Sequence, residues 1–155
     1  MKAVALLSFS TIAFAAGAIA APWPSWRGPS NDNTSPETKF PLEWSATKNR
    51  RWRVELPEAG NASPIVWGSR VFLTQAVEDG KQRTLMCFDR GTGKLLWQHG
   101  VTYEGADTHH KANPHCSASP VTDGERVVAS FGSAGIVAYD FSGKELWRTD
   151  LGKQT

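Results

Sequence analysis

The sequence predicts an all-β fold assembled from repeated, four-stranded antiparallel sheets. Three observations lead there. The text "LMCFDRGTGKLLWQHG" (residues 85–100) returns as "IVAYDFSGKELWRTDLG" (136–152), with Asp89, Gly93 and Trp97 answered by Asp140, Gly143 and Trp147. Fourteen Gly and nine Pro in 155 residues punctuate the chain into short segments, and scarcely any 3.6-residue apolar period follows residue 20. Tryptophans at 52, 97 and 147 recur every ~45–50 residues, a period typical of repeat architectures.

The elements follow in order. Lys2, an apolar run from Ala3 to Ala16 and the Ala18-x-Ala20 signal form a secretory leader, with cleavage expected near Ala20. The run is too short and alanine-rich to span a membrane comfortably, so the chain is expected to be exported, periplasmic or extracellular, without a stable membrane anchor. No cysteine adjoins the cut to carry a lipid. Residues 21–48 are rich in Pro, Ser and Asn and form an irregular arm, whose Trp23 and Trp26 are expected to pack on the body. From 49 to 155 the repeats take over. Trp52, Val54 and Leu56 alternate with Arg53 and Glu55 as one half-buried strand.

The first full unit spans about 60–100. Its strands are "ASPIVWG", "RVFLTQ", "RTLMCFD" and "KLLWQH", with an Asp79-Gly80 hairpin signal between the second and third. The second unit, about 117–152, repeats that order. Ala62-Ser63-Pro64 recurs as Ala118-Ser119-Pro120, Asp123-Gly124 takes the first turn, and Gly132 to Gly135 the middle one.

A four-stranded meander alone leaves one face and one edge uncovered; radial stacking of such sheets covers both, which is the β-propeller solution. The chain thus reads as about two blades plus one strand of a closing blade. Trp97 and Trp147 then lie across seams between sheets, each ring burying ~200 Å2 while its indole N–H meets a backbone carbonyl. Asp89 and Asp140 accept turn N–H groups, and Gly93 and Gly143 supply positive φ. The small residues Cys87 and Ala138 leave room for a neighbouring ring.

These residues resemble the tryptophan-docking motif, Ala-x-Asp-x-x-x-Gly-Lys-x-x-Trp, of the pyrroloquinoline-quinone-type (PQQ-like) β-propeller repeats. Cys87 departs from the alanine, and the second copy is one residue short. The resemblance covers Trp52 to Gly152, and the opening "WPSWRGP" looks like exported bacterial propellers of this group. It implies a ring of about six to eight blades, so the chain is expected to be the N-terminal part of a longer one. PQQ enters as a cofactor by this resemblance alone; the residues themselves make none evident.

Charge excludes some functions. The net charge is +2, one unit of which is the leader's Lys2, and only Asn49 to Arg53 clusters basic residues, so nucleic acid is not an expected partner. "GTGK" at 91–94 lacks the full phosphate-loop spacing and a following helix, and is a turn.

The units differ by one insertion, Val101 to Cys116, which holds Asp107, His109, His110, Asn113 and His115. It joins an outer strand to the next inner strand, on the face where propellers keep their pocket, and is the expected ligand or partner loop. His109, His110, His115 and Cys116 are metal-ligand types, yet their spacing matches no established zinc pattern, and no metal is assigned. Cys87 and Cys116 form an even pair in an exported chain, open to a disulfide or to separate burial. Catalysis by Cys116 with His115 is disfavoured, because sequence neighbours on a strand face opposite ways. No catalytic residue is evident. The expected role is a binding or scaffold platform for an unknown protein or small molecule. The alternatives carried by the resemblance are a PQQ-dependent dehydrogenase-like enzyme and an outer-membrane protein assembly factor.

Overall fold

The computed structural model describes residues 21–154; the secretory leader expected at residues 1–20 lies outside them. Two four-stranded antiparallel meanders follow one another along the chain. The first joins β1 (Ile65–Trp67), β2 (Arg70–Val77), β3 (Gln82–Asp89) and β4 (Leu95–Thr102). The second joins β5 (Val121–Thr122), β6 (Arg126–Ser130), β7 (Ile136–Asp140) and β8 (Glu145–Thr149), with a 3-10 turn at Gly132–Ala134 between β6 and β7. The fold is the predicted one, two β-propeller blades built from the repeated text.

Register explains why the blades stack. Side chains alternate across a pleated strand, so one row of paired residues shares one face. Ile65, Phe72, Cys87 and Trp97 form such a row across the first blade. Thr74, Leu85 and His99 form the next, and Ala76, Arg83 and Val101 the third. This face meets Val127, Ala129, Val137 and Tyr139 of the second blade in one apolar core. Phe72 is fully buried there, 5.1 Å from Phe141 and 5.9 Å from Trp97 between ring centroids.

The docking motif works across the seam. Trp97 stands on the outermost strand of the first blade, donates its indole N–H to Phe141 O (3.1 Å) and lies on Gly143, both in the β7–β8 turn of the second. A Cβ at Gly143 would come within 2.9 Å of that ring, and its φ of 94° is itself unfavourable for an L side chain. Asp140 holds the turn in shape by accepting from the N–H groups of Ser142 and Lys144. Trp52 makes the same approach to the first blade: its N–H donates to Arg90 O (2.8 Å) and its ring covers Gly93, in the turn held by Asp89. Cys87 and Ala138 sit directly opposite Trp97 and Trp147 in the ladders, and a register shift follows each. Small residues there keep the ring against the sheet.

Three expectations are corrected. Residues 52–56 are not a ladder strand. Trp52 and Leu56 are half-buried against Val71, Leu73 and Phe88, but no strand among the described residues pairs with the segment's backbone. Trp97 and Trp147 are not equivalently surrounded: Trp147 is 43% exposed, with no turn from another sheet over it among the described residues. Trp52 and Trp97 are the like pair. In the arm, Trp23 packs as expected, exchanging two backbone hydrogen bonds with Val66 (2.7 and 2.9 Å), while Pro24 O accepts from Thr122 N–H. The arm thereby bridges the inner strands of both blades. Trp26, in contrast, is 64% exposed, because the turn at 25–28 that lets Trp23 cover Gly28 aims it outward.

Replacing Trp97 by Ala is expected to destabilise the protein by ~3–5 kcal/mol through lost burial and the cavity left behind. Trp147→Ala should cost about 1 kcal/mol or less at its exposed site. Urea unfolding followed by circular dichroism measures both.

Candidate functional site

The inserted loop does not hang free, because a buried arginine holds it. Arg83 is in phase with Leu85 and Cys87 on the inward face of β3, and its side chain is 3% exposed. A charge so placed requires full compensation. Its Nη1 lies 2.7 Å from Asp107 Oδ2 and donates to Phe131 O (2.6 Å) of the second blade. Its Nε donates to Gly80 O (2.8 Å) in the β2–β3 turn. The guanidinium also lies 4.6 Å from the Tyr103 ring centroid, while the Tyr103 hydroxyl donates to Asp107 Oδ1 (3.3 Å). One side chain therefore ties together the first blade, the loop and the second blade.

The loop has further anchors. Tyr103 N–H donates to Lys81 O, and Asn61 Nδ2 donates to Ala112 O, each at 2.7 Å. At its far end Cys116 enters the apolar core, 1% exposed. Between these points the loop and the 3-10 turn flank an open polar cleft of about 350 Å3, lined among others by Arg83, Asp107, His109, Asn113, His115 and Ser133.

The environment tunes each ionisable group. Burial opposes ionisation of Asp107, but hydrogen bonds from Ser133 and Arg83, with the guanidinium's charge, outweigh it and hold the carboxyl below its ordinary value. Burial lowers the pKa of His115, reinforced by nearby His109 and Arg83 against the opposing pull of Asp79 and Asp107. Burial pushes the thiols of Cys87 and Cys116 up to about 11 each, so neither is a thiolate at neutral pH.

Of the residues expected in the loop site, Asp107, His109, Asn113 and His115 come together at the cleft. His110 does not: it is exposed, and its Nδ1 accepts from Ala112 N–H at 3.2 Å. Cys116 is a core residue rather than a ligand, and both cysteines are free thiols. Arg83, Tyr103 and Ser133 were not anticipated. The signal for Arg83 was present in its two-residue spacing from Leu85 and Cys87, which places a charge on the buried face.

With the docking turns and the loop in view, comparison with known families is decisive. The family model described as outer membrane protein assembly factor BamB, a PQQ-type repeat, matches residues 42–155. The chain belongs to this family. No curated protein matches it. In this PQQ-like propeller, the family's repeat accounts for both blades and their docking turns, whereas the cleft arises from the segment that distinguishes one unit from the other. No helix of the described residues is long and apolar enough to cross a membrane.

Asp107→Asn leaves the buried Arg83 charge uncompensated and should destabilise the protein by about 3 kcal/mol at neutral pH. Because the folded-state pKa of Asp107 is depressed, its contribution is fully present above the ordinary carboxylate range near pH ~4. It is lost as pH falls through the lower folded value. Unfolding of wild type and Asp107→Asn across that range should give curves that converge toward low pH.

Proposed function

We propose that this PQQ-like propeller is a binding or scaffold platform that engages a segment of a partner protein at the cleft beneath the 101–116 loop. The observation that carries this is the Arg83–Asp107 ion pair. A mobile polar loop loses conformational freedom when it binds, whereas one already fastened at Asp107, Ala112 and Cys116 presents its polar groups in place. Exposed Thr108 and Asn113 at the rim offer hydrogen bonds to an extended polar segment, and loops carried on a rigid sheet scaffold are where binding residues concentrate.

The family's description supports a partner in outer membrane protein assembly, in keeping with the secretory leader expected from the sequence at residues 1–20. PQQ is a planar tricarboxylate and needs cations to hold it. The buried cation of this cleft, Arg83, is already engaged by Asp107, Gly80 O and Phe131 O, so the cleft does not fit it and no step through a quinone is assigned.

Site-specific photo-cross-linking in the cell envelope tests the reading. A photoreactive residue at Asn113 is expected to capture a discrete protein, and one at exposed Lys94, in the β3–β4 turn, is not. Capture from both positions alike, or from neither, would contradict a partner site at the cleft. Identification of the captured protein as outer-membrane assembly machinery would support the family's role for this chain.

A further inference from the structure

We propose that Asp79, His109 and His115 form a site for a divalent transition metal, of the class that includes zinc, at the mouth of the cleft. The site does not depend on the platform reading. Its donors come from two separate pieces of chain: Asp79 from the tip of the β2–β3 turn, and the two histidines from the inserted loop. The donor atoms of all three lie within 4.8 Å of one another. The imidazole rings meet edge to face, with centroids 4.2 Å apart at 65°, and His115 Nε2 is 4.0 Å from Asp79 Oδ1.

The surroundings fix two of the three donors. His115 lies flat on Gly80, where a Cβ would come within 2.3 Å of its ring, so the turn carrying Asp79 and the loop carrying the ring approach as closely as backbone allows. His109 Nδ1 is 3.2 Å from His110 O. A proton donated there leaves Nε2 with its lone pair bare, the arrangement by which an outer carbonyl orients a metal-ligating imidazole. The carboxylate is the adjustable partner. Tetrahedral zinc, with bonds of about 2.0–2.2 Å, holds its ligands roughly 3.4 Å apart, so donor atoms lying within 4.8 Å of one another must close by up to about 1.4 Å. The Asp79 side chain is 97% exposed and turns freely to do so.

One contact opposes binding. His115 Nδ1 lies 3.5 Å from Arg83 Nη2, at the limit of a hydrogen bond. Coordination through Nε2 puts the ring's remaining proton on Nδ1 and gives that contact up, while Arg83 keeps Asp107, Gly80 O and Phe131 O. The affinity is therefore below that of a closed four-ligand site. Two imidazoles and a carboxylate are a donor set suited to zinc, and with three protein ligands the fourth position is left to water or to a group from a bound partner.

The test is titration of the full chain with zinc chloride by calorimetry, and with cobalt chloride by visible absorption. One equivalent of zinc per chain is expected, with tetrahedral cobalt bands in the visible. His109→Ala and Asp79→Asn, the second keeping a side chain that tolerates the left-handed φ of 53° at this turn position, should each weaken binding at least tenfold and leave the thermal unfolding of the apoprotein unchanged. His110→Ala should bind as wild type does. Absence of saturable binding, unchanged affinity in His109→Ala, or an equal loss in His110→Ala would each overturn the site.

Discussion

An indole laid on a bare glycine of the neighbouring sheet is the contact on which the rest of this structure depends. Trp52 on Gly93 and Trp97 on Gly143 repeat one arrangement: ring over a positive-φ glycine, N–H to the carbonyl of the residue after the aspartate. Each part positions the next. The aspartate shapes the turn, the turn presents glycine and carbonyl together, and the small residue opposite the tryptophan, Cys87 for Trp97, holds the ring against its own sheet. Since a single tryptophan contributes both a large apolar area and a directional hydrogen bond, it sets the spacing of two blades as well as their attraction.

That spacing decides what else the seam contains. Phe72 and Phe141 fill it near the docking turn, and Val101, Ala129 and Phe131 fill it further along. Arg83 stands in the third row of the same buried face, between the apolar residues Ala76 and Val101. A buried ion pair is a poor source of stability compared with an apolar residue, because desolvation offsets most of its attraction. Its presence is better explained by what it orders: Asp107 and Tyr103 of the loop, Gly80 of the hairpin and Phe131 of the next blade all converge on one guanidinium. The rigid seam thus carries a polar loop, and the loop carries the cleft.

Legibility differed between fold and site. The strands, the hairpin at Asp79-Gly80 and the docking turns were readable because each is a local pattern: alternation, a turn dipeptide, a repeated spacing. The segment at 52–56 alternates as a strand does yet joins no ladder, since alternation reports which side is apolar and not whether a neighbour supplies hydrogen bonds. In the loop, residue type alone grouped three histidines and a cysteine. The structure separates them, sending Cys116 inward as a small apolar group and leaving His110 in solvent, because a loop without periodicity gives no sign of which side chains face the body.

The sequence by itself determined the repeat, the all-β blades and the membership of the docking motif, since these rest on spacing along one chain. Only tertiary structure decided which tryptophans are covered, that Arg83 holds the loop, and that Asp79 stands beside His109 and His115. Those facts depend on what the second blade and the loop bring to the first from far along the chain, and no local pattern encodes the direction in which a distant side chain arrives.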